Sequence, residues 1–211
     1  MTRTEADRAG IFAYWPNRIT AARFVGSMVL FGLLIAMPEL PLDGPTAASI
    51  GAFWLFIAVA VTDWLDGYLA RRDGVVTAFG RIADPFVDKV MVLGAMVLLG
   101  ELPGAAEYFP GWVIVVVLAR EFLVTGIRGY MEAEGFEFAA DKWGKLKMVF
   151  QCIALGVVLG RGAFPWEGVP YALDALHWLA WISVGLTVVS STGSGLGYVL
   201  KTQSMIASRQ S

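Results

Sequence analysis

Charge is scarce in this chain. Asp, Glu, Lys and Arg make up only 16% of its 211 residues, against about 25% in an ordinary soluble domain. Cysteine and histidine are scarcer still, with one of each, Cys152 and His177. A single cysteine excludes an intramolecular disulfide. There is no excess of positive charge, since the net charge is −2, so no global basic field points to nucleic acid. The start, "MTRTEADRAGIFAYWPNR", lacks the early apolar core of a cleavable signal, and insertion is expected to be driven by the first spanning helix. Internal repeats, low-complexity tracts and long linkers are also missing, which favours one domain over residues 1–211.

What the chain has is apolar length. It is 57% hydrophobic, and its mean hydropathy is +0.63, which indicates an integral membrane protein. A helix rises about 1.5 Å per residue, so roughly 20 residues cross the hydrocarbon core. Six segments qualify, near Ile19–Met37, Ala47–Leu69, Ile82–Gly100, Trp112–Tyr130, Trp143–Gly160 and Leu173–Val199. The expected fold class is all-α, a six-helix membrane bundle over residues 19–200. The last helix is long, and "STGSGLG" from Ser191 to Gly197 is a place where it could tilt or break. Residues 1–18 read as a cytoplasmic or interfacial segment, with "AGIFAYWPNR" as a short interfacial helix or an aromatic belt. Residues 201–211 read as a cytoplasmic tail.

The basic residues sort with this count. Arg3, Arg8, Arg18 and Arg23, then Arg71, Arg72 and Arg81, then Arg128, Lys142, Lys145 and Lys147, and finally Lys201 and Arg209 fall on one side. The opposite connections hold Arg161 alone among several acids. Lys/Arg bias sets orientation, so both termini are expected in the cytoplasm. The 24 glycines suit close helix packing in lipid. His177 falls near the outer start of the sixth helix, where an interfacial role fits better than a ligand role. Cys152 reads as a small apolar residue.

Against this background, "TDWLDGYLARRDGVVTAFGRIADPFVDKV" from Thr62 to Val90 is anomalous. Asp63 and Asp66 are three residues apart and share a face of the second helix. Asp84 and Asp88 are four apart and share a face of the third. The short connection makes the two helices antiparallel neighbours, so the acidic faces can converge. Asp63 lies eight residues before Arg71, roughly 12 Å inward from the headgroups. A carboxylate at such depth costs on the order of 2.5–3.5 kcal/mol. Bound cations would offset that cost and the mutual repulsion, and carboxylate oxygens select hard divalent ions. Gly67, Ala70 and Gly80 leave room beside the acids, and Arg71 is suited to phosphate. The residues alone suggest a divalent-metal site that receives a phosphate-bearing lipid within the cytoplasmic leaflet. An ion-pair network between helices is the structural alternative. Asp73, in "RRDG", reads as a solvated turn residue.

The spacing Asp63-x2-Asp66-Gly67-x2-Ala70-Arg71-x8-Gly80-x3-Asp84-x3-Asp88 resembles the full signature of the CDP-alcohol phosphatidyltransferase family. The resemblance implies a six-helix membrane enzyme, commonly a homodimer. Such enzymes move a phosphatidyl group from CDP-diacylglycerol to an alcohol and release CMP. Asp63, Asp66 and Asp84 would hold Mg²⁺ or Mn²⁺. Asp88 would join the metal site and act as general base on the acceptor hydroxyl. Gly67, Ala70, Arg71 and Gly80 would line the CDP site, with Thr77 beside them. "WPNRITAAR", "REFLVTGIR" and "GKLKMVFQ" further resemble the bacterial subgroup that uses sn-glycerol 3-phosphate, although Met148 stands where threonine is usual. Asn17, Thr20 and Arg23 would then border the CDP headgroup. Arg120, Arg128, Lys142, Lys145 and Lys147 would bind the acceptor phosphate, and Glu121 would pair with a neighbouring base or act itself. The implied location is a bacterial cytoplasmic membrane, with the active site facing the cytoplasm.

Other acceptors stay open, among them inositol phosphate, phosphatidylglycerol and serine. A different class, an aspartate-lined cation transporter, would usually show paired broken helices in an inverted repeat. Here the acids occur once, in one hairpin. A catalytically silent membrane scaffold is the third alternative, and retention of all four acids argues against it.

Overall fold

The computed structural model of the chain describes residues 15–73, 78–135, 142–169 and 171–210. Within that range it leaves out the side chains of Pro16, residues 64–73, Ala78, Phe79, Arg81, Lys142, Trp143, Lys145 and residues 208–210. The described residues form six helices and no strand: α1 Trp15–Ala36, α2 Ala47–Asp73, α3 Ala78–Glu101, α4 Gly111–Ala133, α5 Lys142–Ala163 and α6 Ala172–Gln210. The interfacial segment expected before residue 15 and Thr77 lie outside the described residues.

All six expected helices are present. By length and composition together, three of them can cross a membrane, at Asn17–Ala36, Leu146–Ala163 and Ala172–Ala207. The apolar part of α2, Ala47–Asp63, is shorter. Charge is what lowers the hydropathy of the others: α3 carries Arg81, Asp84, Asp88 and Lys89, and α4 carries Arg120, Glu121 and Arg128. The surface of the bundle is apolar, with Ile35, Val115, Phe122, Val189 and Leu196 each more than 60% exposed. Such a surface is suited to lipid rather than water.

In lipid there is little hydrophobic drive between helices, so close packing must hold them. Leu30, Phe56, Met91, Met96, Leu99, Val117, Leu155 and Leu159 fill the core shared by α1, α2, α3, α4 and α5. Glycine sets two of the approaches. A methyl at Gly94 on α3 would fall 2.2 Å from the Phe31 ring of α1, and one at Gly26 on α1 would fall 2.9 Å from Val59 of α2. These contacts hold α1 against both helices that carry the acids.

The sixth helix is not broken at Ser191–Gly197 but runs unbroken to Gln210, through the segment expected to be a tail. Its hydroxyls explain this. Ser190 donates to the Thr187 carbonyl, Thr192 to Val188 and Ser194 to Ser191. Small polar side chains bonded back to the preceding turn are satisfied within the helix.

A polar knot ties the opposite end of the bundle. Arg161 of α5 is buried and donates to the Tyr108 hydroxyl, which is also hydrogen-bonded to His177 of α6. The Arg161 guanidinium lies 5.1 Å from the centre of the Tyr108 ring, and Glu107 is 3.9 Å from Arg161 and 3.7 Å from His177. His177 is therefore part of a structural latch between the α3–α4 connection and α5 and α6. We predict that Tyr108→Phe lowers the unfolding midpoint in detergent, because a buried guanidinium donor loses its acceptor, at a cost of about 1–3 kcal/mol. An unchanged midpoint would show that the latch contributes nothing.

Candidate active site

Thr20 and Arg23 of α1 are buried and face the acidic hairpin, and Asn17 is buried one turn before Thr20. Their spacing of three puts them on one helical face. The Thr20 hydroxyl donates to an Asp84 carboxylate oxygen at 2.5 Å. The Arg23 guanidinium lies 2.7 Å from Asp63 and donates to Asp88 as well. One cation thus joins a carboxylate of α2 to a carboxylate of α3, and the two acidic faces do converge. Asp63 and Asp88 are each about one-fifth exposed, whereas Arg23 is almost wholly buried. A buried charge needs a partner of opposite sign, and here each supplies the other.

Asp66, Gly67, Ala70 and Arg71 follow on α2, and their side chains lie outside the described residues. Gly80 is buried in the first turn of α3. Among the described residues, no group of three or more acidic, histidine or cysteine side chains forms a ready metal-ligand set. Asp63, Asp84 and Asp88 nonetheless suit a hard divalent ion. They offer oxygen donors only, and Asp63 and Asp88 already gather around a positive charge.

A second chamber adjoins this one. Its volume is about 180 Å³, and Asp88, Lys89, Arg120, Glu121, Arg128 and Lys147 supply its charges. Four cations face two acids, a balance suited to a small anion. Three of the basic groups are held by hydrogen bonds. Lys147 of α5 and Arg120 of α4 both donate to Glu121 Oε1, the latter at 3.1 Å. Arg120 Nε donates to Ser194 of α6 at 2.9 Å. Its aliphatic stem runs 3.4 Å from where a Cβ on Gly195 would stand, and its Nη2 is 3.5 Å from that place at Gly144. Arg120 thus packs against two glycines, one on α5 and one on α6. Lys89 donates to Thr125 at 2.6 Å.

A third space, about 710 Å³ and mostly apolar, runs between α2 and α5. Asp63 stands at its polar end, Phe56, Val61, Cys152, Gly156 and Gly160 line its length, and Phe164 and Trp166 stand at the far end.

The fold brings Asp63, Asp84, Asp88, Thr20 and Arg23 together on one side, and Arg120, Arg128 and Lys147 on the other, while Asn17 is buried on the same face of α1 as Thr20. Lys142 and Lys145 lie in the first turn of α5, and their side chains are not described. Three chamber residues were missed from the sequence: Lys89, Thr125 and Gln151. Lys89 follows the signature's last acid and is turned about 100° from it on the helix. Gln151 lies four residues after Lys147, on the same face of α5.

The CDP-alcohol phosphatidyltransferase family model matches residues 13–189. The chain belongs to this family. The matched span includes every residue of the acidic signature and the basic chamber. The chain is also similar to curated enzymes named CDP-diacylglycerol–glycerol-3-phosphate 3-phosphatidyltransferase. With the Bacillus subtilis protein it shares 36% identity over 83% of this chain and 90% of the relative. With the Rickettsia typhi protein the identity is 31%, over 83% and 91%. With the Pectobacterium atrosepticum protein it is 40%, over 56% and 65%. Phosphatidyltransferases of this family generally depend on a divalent metal.

Proposed function

We propose that this phosphatidyltransferase takes the phosphatidyl group from CDP-diacylglycerol and gives it to sn-glycerol 3-phosphate, releasing CMP and phosphatidylglycerophosphate. The observation that carries the reading is the position of Asp88. It belongs both to the acid cluster around Arg23 and to the cation-lined chamber. A base placed there touches the space for the lipid pyrophosphate and the space for an anionic alcohol. The similar curated enzymes, named for the same donor and acceptor, support the choice.

The roles are those the family resemblance implies, and the contacts of the described side chains support them. Asp63, Asp66, Asp84 and Asp88 would hold Mg²⁺ or Mn²⁺, which when bound neutralises charge on the pyrophosphate and on the leaving CMP. Asn17, Thr20, Arg23, Gly67, Ala70, Arg71, Thr77 and Gly80 flank the CDP moiety. The apolar space beginning at Asp63 takes acyl chain, worth about 0.8 kcal/mol per buried methylene. Arg120, Arg128, Lys142, Lys145 and Lys147 hold the acceptor phosphate. Asp88 takes the proton of the acceptor's primary hydroxyl as its oxygen attacks the phosphorus that carries diacylglycerol. That phosphorus–oxygen bond to CMP breaks, and CMP leaves with the electron pair. The transfer is in-line and direct.

This reading includes six membrane spans, both termini and the active site on the cytoplasmic side of a bacterial inner membrane, and a homodimer. It rests on the sorting of basic residues and on the family resemblance. The test is CMP release from CDP-diacylglycerol by purified protein with a divalent ion and a panel of acceptors. Glycerol 3-phosphate should be the best acceptor. No CMP with any acceptor would overturn the enzymatic reading, and CMP with inositol phosphate alone would overturn the choice of acceptor.

Arg23 offers a check that needs no turnover. In Arg23→Gln, Asp63 and Asp88 lose their shared cation, and the unfolding midpoint should fall. Added Mg²⁺ or Mn²⁺ should then raise the midpoint more than in the wild type, because the ion offsets the same repulsion. Equal metal-induced shifts in the two proteins would place the ion elsewhere.

A further inference from the structure

Gln151 is a buried polar residue of the acceptor chamber whose donor is unused among the described residues. It is 3% exposed, yet its amide nitrogen has no hydrogen-bond partner among the described residues. Burying such a donor unpaired costs about 1–3 kcal/mol, so a native site that keeps one invites a ligand group. The buried basic groups and Lys89 behave differently. Lys147 and Arg120 are held by Glu121, and Lys89 by Thr125.

Depth indicates which ligand group. Gln151 lies nine residues into α5 and Asp88 ten residues into α3. The two side chains line the same chamber, each roughly 14–15 Å along its helix. Lys147 lies one turn nearer the start of α5. A phosphate held by the cations and a hydroxyl at Asp88 leave the middle of a three-carbon acceptor near Gln151. An amide offers a donor and an acceptor side by side, which suits a hydroxyl that can do both.

We propose that Gln151 binds the secondary hydroxyl of the acceptor and so selects a vicinal diol phosphate over a simple hydroxyalkyl phosphate. The proposal rests on glycerol 3-phosphate as the acceptor. It adds a specificity-determining contact to the phosphate-holding and proton-removing groups, and it gives the unpartnered amide a partner only when substrate is bound.

The test compares two acceptors, sn-glycerol 3-phosphate and 3-hydroxypropyl phosphate, which lacks the middle hydroxyl. The wild type should prefer glycerol 3-phosphate in kcat/KM by on the order of tenfold or more. Gln151→Met, close in volume, should bring that ratio near one. It should do so by losing activity on glycerol 3-phosphate, with 3-hydroxypropyl phosphate turnover and the KM for CDP-diacylglycerol unchanged. Gln151→Asn keeps the amide on a shorter arm and should fall between. Equal use of both acceptors by the wild type would overturn the proposal without any variant. So would an undiminished preference in Gln151→Met, or equal losses on both acceptors, which mark a structural role. A wild type that releases no CMP with glycerol 3-phosphate would instead defeat the proposed function itself.

Discussion

Asp88→Asn should lower CMP release by at least about 10²–10⁴-fold, the range that a positioned general base contributes, while the protein still folds. The substitution keeps the size of the side chain and an oxygen that can accept from Arg23, so the α1–α3 contact survives. What it removes is the capacity to take a proton, together with one anionic ligand for a divalent ion. The loss should therefore fall on kcat, with the KM for glycerol 3-phosphate changed little. Steady-state kinetics together with a thermal unfolding curve in the same detergent separate these effects. Activity within about tenfold of wild type would remove Asp88 from the base role, since a group that removes a proton cannot be dispensable.

Arg120→Ala should raise the apparent KM for glycerol 3-phosphate by about 10- to 100-fold and leave that for CDP-diacylglycerol nearly unchanged. The magnitude follows from losing a charge-assisted hydrogen bond, worth about 1.5–3 kcal/mol. Arg120 is placed for this by its bonds to Ser194 and Glu121. Arg120→Lys should recover only part of the loss, because a lysine is a point charge without the guanidinium's planar fork of donors. Removing the guanidinium also leaves Lys147 as the one described partner of the Glu121 carboxylate, so some loss of stability should accompany the kinetic change. An unchanged acceptor KM would contradict the placement of the phosphate.

Much of this was legible in the sequence, for identifiable reasons. Apolar length is a local signal, and all six helices were found from it. Their ends were not, because hydropathy sees only the part of a helix that lies in hydrocarbon. α1 begins at Trp15 rather than near Ile19, and α6 continues through Lys201 to Gln210. The glycines of "STGSGLG" suggested a break, but Thr192 and Ser194 bond back within the helix, and Gly195 packs against the Arg120 stem.

The acids were legible because helical spacing alone puts each pair on one face. The convergence of Asp63 with Asp88 follows from two antiparallel neighbours. The bond from Arg23 to Asp88 spans 65 residues of sequence, and it depends on how tightly α1 packs through Gly26 and Gly94. Spacing carries no information about such a contact. Lys89 was overlooked because it sits off the acidic face of its helix. Gln151 was overlooked because an uncharged amide in a membrane helix is unremarkable until its surroundings are known to leave it unpaired.

The most direct measurement follows the acceptor itself. Purified protein is given CDP-diacylglycerol, a divalent ion and glycerol 3-phosphate labelled in its carbon chain, and the lipid extract is counted alongside released CMP. The account predicts one label in lipid for each CMP, and neither in Asp88→Asn. CMP released without label entering lipid would contradict it, because the phosphatidyl group would then be passing to something other than glycerol 3-phosphate.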